Sequence, residues 1–256
     1  MFTWRHIVWL LICAVLVFFS IRYYLKNNKP SLKKVLNIAC IIATASEITK
    51  VFSVIQFVPS QDGSLIYPYI PMNHLPLHLC SIQILLIFYV RFTENRKLRE
   101  NVLAFMYPTC LLGALMALAM PSIFTTSIPV EKAFVHPIAY QFFIYHTMLI
   151  VLGICIALSG EIEWEKRHFY MTMILLYLIS FISIYINSMF AQPTYLNGVL
   201  QHIDFWPNFM FTYQNPIGLH LTEIWQWYVY LLIIALLSLL LIWLCYYPLI
   251  RKRKAS

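Results

Sequence analysis

Of the chain's 256 residues 61% are apolar and only 11% charged, far from the balance of about half apolar and about a quarter charged found in soluble domains. The formal net charge is +8, but the basic residues stand in short clusters between apolar runs, an arrangement that serves as a topology signal toward anionic headgroups. A water-soluble core and a nucleic-acid-binding face are both excluded. The six cysteines (Cys13, Cys40, Cys80, Cys110, Cys155 and Cys245) fall inside or beside apolar runs without CxxC or zinc-ribbon spacing, which argues against a disulfide framework or a structural zinc site.

The first apolar run, near residues 7–25, exceeds a signal-peptide core and leads into a Lys-rich stretch with no small-residue cleavage site. It reads as a retained first helix. Six further runs follow near 35–58, 74–90, 101–120, 137–158, 170–190 and 226–247. Each is long enough, or nearly so, to cross about 30 Å of hydrocarbon. The expected fold is therefore all-α: a polytopic membrane helix bundle of seven transmembrane helices, forming one integral membrane domain over 1–256 with no internal repeat. The expected location is the cell membrane, multi-pass, and the expected partners are membrane lipids. Oligomeric state is not readable.

Lys and Arg set the orientation, because cytoplasmic loops retain them. All but Arg5, Lys50 and Lys132 of the 18 basic residues lie in the first, third and fifth loops or the C-terminal tail. This predicts an N-terminus outside and a C-terminus inside. The stretch from Ala191 to about Trp225 lacks Lys and Arg and carries Phe205, Trp206, Phe209, Phe211 and Tyr213. It reads as an interfacial aromatic belt, and Pro193, Pro207 and Pro216 exclude one continuous helix there.

Ionisable residues within spans are costly unless paired or hydrated, so they direct attention to function. Glu47 and Lys50 are three apart on one helical face and are expected to form an ion pair near mid-membrane, either fixing helix packing or serving binding or proton handling. His74 and His78 open the third run, at a spacing that can bind a metal, but no acidic metalloenzyme motif accompanies them and neither metal nor cofactor is expected. Cys80 projects about 200° around a helix from His78, so a histidine elsewhere, His146 of the fifth run, is the better partner for its thiol. With Asn187 near the end of the sixth run, these residues share one depth and point to an outward-opening polar cavity.

The segments His74-Leu-Pro-Leu-His-Leu-Cys-Ser81, Tyr145-His-Thr147, Asn208-Phe-Met-Phe211 with Asn215-Pro216, and Trp225-Gln-Trp-Tyr228 resemble the YwaF-type family of bacterial integral membrane proteins. More distantly the chain is similar to a eukaryotic multispanning family of ether-phospholipid acyltransferases. That resemblance implies Cys80 as the acyl-accepting thiol and His146 as its base, while a histidine-only site at His78 and His146 fits the same sequence. Glu47, Lys50, His74 and Asn187 are then candidates for substrate binding. A small-solute or lipid transporter or binding module, and a structural scaffold, are the competing readings.

Overall fold

A computed structural model describes residues 2–26, 30–60, 62–196, 199–205, 207–213 and 222–255. Most of the described residues are helical. Its helices are α1 (Trp4–Lys26), α2 (Leu32–Val54), α3 (Leu79–Phe92), α4 (Arg96–Ala119), α5 (Ile123–Thr126), α6 (Pro137–Leu158), α7 (Lys166–Met189) and α8 (Ile224–Ala255). Two antiparallel hairpins interrupt them: β1 (Gln56–Pro59) with β2 (Ile66–Tyr69), and β3 (Gln192–Leu196) with β4 (Val199–Phe205). Among the described residues six helices, namely α1, α2, α4, α6, α7 and α8, are long and apolar enough to cross a membrane.

The third expected span is corrected by this. Residues Met72–His74 form a single 3-10 turn, Leu75 and His78 are extended, and the α-helix begins only at Leu79. Pro76 is the cause: its ring pushes the preceding residue out of the helical region, and Leu75 sits at φ −60°, ψ 146°. The 14 residues of α3 rise only about 21 Å, short of a full hydrocarbon thickness. α2 likewise ends at Val54 rather than near 58, because the chain turns into the first hairpin. Glu47 and Lys50 therefore lie about 10 and 6 Å from the end of α2, not near its middle.

Lipid tails are as apolar as leucine, so membrane helices associate through close packing of small residues and interhelical hydrogen bonds. α6 is the hub, with α1, α2 and α4 all packed on it. α2 presents Leu36, Ala39, Ala43 and Ser46, one buried helical stripe, and Ser46 accepts a 2.6 Å hydrogen bond from Gln141 Nε2 of α6. From α1, Trp9 stacks on Phe143 and donates to Ala133 O at 2.9 Å. α4 approaches α6 at Gly153, where a Cβ would stand 3.0 Å from Tyr107 O.

Pro108 inside α4 leaves the Ala104 carbonyl without its helical donor. The fully buried Tyr246 of α8 fills the gap, donating to Ala104 O at 2.7 Å with Thr172 of α7 2.8 Å from its hydroxyl. This polar junction joins α4, α7 and α8.

The two ends of the bundle differ. At one, the basic end, Arg91 pairs with Asn37, Arg99 with Glu161, and Arg167 with both Glu100 and Glu165. The other end carries both hairpins.

Candidate functional site

The polar residues gather toward the hairpin end. Lys50 Nζ lies 2.8 Å from Glu47 Oε1, and the lysine is the more enclosed partner, at 13% side-chain exposure against 32%. The ammonium is within electrostatic range of His74 and His78 on the irregular segment before α3. His74 Nε2 is 3.4 Å from Ser127 Oγ, which ties that segment to the turn after α5.

Tyr145 of α6 donates to Cys80 O at 2.7 Å. It thereby holds the first turn of α3, where the early carbonyls would otherwise depend on the helix alone. Cys80 Sγ sits over Gly113 of α4, where a Cβ would meet it at 3.5 Å. Beneath it Gln83, fully buried, donates to Thr109 Oγ1 at 2.9 Å and accepts from Cys110 Sγ at 3.2 Å. The α3–α4 seam is thus satisfied internally.

His146 is buried, at 7% exposure, with Nδ1 2.7 Å from Phe142 O. A carbonyl only accepts, so Nδ1 carries the proton and Nε2 keeps its lone pair: the ring is preset as a hydrogen-bond acceptor or base. His78 and His146 lie within electrostatic range of one another. The Cys80 sulfur makes no hydrogen bond to either ring among the described residues.

Asn187 is placed differently from a ligand-binding amide. Fully buried, it donates to Phe209 O at 3.1 Å and Thr212 Oγ1 at 2.8 Å, and accepts from Phe209 N at 2.9 Å. Its capacity goes to clamping the turn that follows the second hairpin. Phe209, with no exposed surface, stands edge-on to His78 with ring centres 5.0 Å apart. Trp227 and Tyr230 of α8 close the same turn from the other side, donating to Thr212 O and Phe211 O. Met210 and Phe211 adopt left-handed backbone at φ 58° and 55°, a conformation that L-residues hold only when their surroundings impose it.

The aromatic loop is therefore more than a belt: Phe209 is a plug over the histidine segment. Phe211 remains half-exposed, as an interfacial residue would. Trp206, Asn215 and Pro216 lie outside the described residues. The sequence reading missed Tyr145, Gln83 and Phe209 as structural partners. Gln83 carried a visible signal, an amide inside an otherwise apolar run. Among the described residues no three His, Cys, Asp or Glu side chains converge as a metal ion would require.

Apolar helices of spanning length, with an ion pair and histidines partly enclosed toward one end, define an integral multi-pass membrane protein with a half-buried polar cluster. The chain belongs to the TMEM164 family, whose profile matches residues 1–247. No curated protein and no solved structure gives a match.

Proposed function

We propose that the chain is a membrane-embedded lipid acyltransferase of the cell membrane, allied to the YwaF-type proteins, in which Cys80 carries the acyl group and His146 handles the proton. The observation that supports this reading is the tautomer of His146: Nδ1 is committed to Phe142 O, which leaves Nε2 as the acceptor at the depth of Cys80. In the first half-reaction the Cys80 sulfur attacks the carbonyl carbon of an acyl ester, and its proton passes through His146 to the departing lipid alkoxide. A thioester and a lysolipid result. In the second, the hydroxyl of another lysolipid loses its proton to His146 and attacks the thioester carbonyl. The new ester leaves and the thiol is restored. Lys50, held by Glu47, and the His74–His78 segment offer donors to a phosphate headgroup, with Asn187 keeping the Phe209 plug over them.

The basic end faces the cytoplasm in this reading, with the N-terminus outside and the C-terminus inside. The irregular stretch from Pro71 to His78 together with α3 makes the seventh crossing, non-helical backbone that a membrane tolerates only against protein or a water-filled cavity.

A second reading, a lipid- or solute-binding module without covalent chemistry, is favoured by the sulfur facing Gly113 rather than a ring. The test is acyl exchange between a labelled phospholipid and a lysophospholipid by the purified full chain in nanodiscs. Wild type transfers label, Cys80→Ala is inactive, and His146→Gln falls by about 10²-fold or more, the range of a lost general base. Full activity in Cys80→Ala would remove the thioester route. Binding of labelled phospholipid without transfer in any variant would establish the second reading.

A further inference from the structure

A sizeable recess lies away from the polar cluster. It is a groove of about 1220 Å³ along α1, lined by Ala14 and Val17 of that helix, Leu115 and Leu118 of α4, and Ile150 and Ile154 of α6. Near the hairpin end His6 Nε2 lies 2.8 Å from Leu118 O, which binds α1 to α4. Near the basic end Tyr24 is buried instead within electrostatic range of Cys155 and Glu161. Cys155 is rotated about 100° around α6 from Ile154. α1 packs on α6 along this stretch, and Ile150 and Ile154 of α6 line the groove beside it.

Arg22 and Lys26, both exposed, line this apolar groove toward the basic end of α1. Glu161, the acid whose field reaches Tyr24, is already paired with Arg99. The groove thus combines a hydrocarbon wall with two cations at headgroup level.

We propose that this groove is a binding site for an anionic glycerophospholipid of the leaflet at the basic end, its acyl chain along Val17 and Ile154 and its phosphate against Arg22 and Lys26. Charge selects this occupant over a second copy of the chain, because a copy would bring like charge to the mouth of a molecule already at +8. The site is distinct from the Cys80 cluster, and its occupancy does not depend on acyl transfer.

The experiment is native mass spectrometry of the full chain in detergent, titrated with phosphatidylglycerol or with phosphatidylcholine of identical chains. The first phosphatidylglycerol binds more tightly than the first phosphatidylcholine. Arg22→Gln with Lys26→Gln weakens phosphatidylglycerol by about 25-fold, the loss expected for two cations near a headgroup. Lys33→Gln with Lys34→Gln, a control of equal charge, retains the preference. Ala14→Trp, which fills the groove, weakens both lipids while the chain still elutes as a single folded species. Equal affinity for the two lipids, or a preference untouched by the Arg22 and Lys26 changes, overturns the proposal. So does a dimer that Ala14→Trp dissociates with no lipid retained in wild type.

Discussion

Asn187 illustrates what a single side chain decides in a low-dielectric setting. Three hydrogen bonds made by one amide hold the Phe209 turn, and their loss strands the backbone N–H of a residue with no access to water, its carbonyl keeping only Thr212 as a donor. Asn187→Ala is expected to destabilise the protein by on the order of 2 to 4 kcal/mol. It should also expose residues 207–213 to protease before the rest of the chain. A thermal unfolding profile and a cleavage pattern identical to wild type would contradict this. From sequence, the depth of Asn187 was legible because it needs only a helix rise. Its partner was not, since Phe209 lies 22 positions away across a hairpin. The burial of Phe209 was hidden for a related reason: an aromatic residue near an interface reads alike whether it faces lipid or a histidine.

Helices carry their own predictions through the space allowed at their crossings. At Gly153 a methyl group would meet Tyr107 O at 3.0 Å and Leu111 N at 3.3 Å, both backbone atoms of α4 that cannot turn aside. Gly153→Ala should force α4 and α6 apart and cost about 1 to 3 kcal/mol. At Gly113 the nearest atoms are side-chain ones at 3.5 and 3.7 Å, ordinary contact. There Ala brings its better helix propensity, up to about 1 kcal/mol, and the variant should be as stable as wild type or more so. Thermal midpoints measured side by side test the pair; similar losses at both positions would refute the distinction. The boundaries of the expected helices were legible where caps or clean polar flanks mark them, as with α6, which runs Pro137–Leu158. They failed at α3, because the effect of Pro76 on the residue before it outweighs the apolar periodicity that continues through the segment.

For the whole molecule, the distribution of Lys and Arg predicts which side each loop occupies. Single cysteines introduced at positions 62 and 132 of a cysteine-free chain should react with a membrane-impermeant maleimide in intact cells, and those at 97 and 166 only after permeabilisation. Labelling of position 97 in intact cells would invert the assignment. The membrane class was plain from composition. Neighbour relations around the bundle were not legible, because amphipathic pattern is weak when both lipid and protein interior are apolar. The position of α6 at the centre, and of Gly113 beneath Cys80, emerges only from the packed structure.

That central position bears on how the protein is made. α1, α2 and α4 leave the ribosome before the helix on which all three pack, so they enter the bilayer with Trp9, Ser46 and the Tyr107 region unpartnered. A nascent chain must wait, shielded by the insertion machinery or loosely held in lipid, until α6 arrives. Chains terminated after Ala119 should be cleared quickly by membrane quality control, whereas those terminated after Leu158 should persist several-fold longer in a pulse-chase. Equal lifetimes would mean that the early helices find a stable arrangement without their hub.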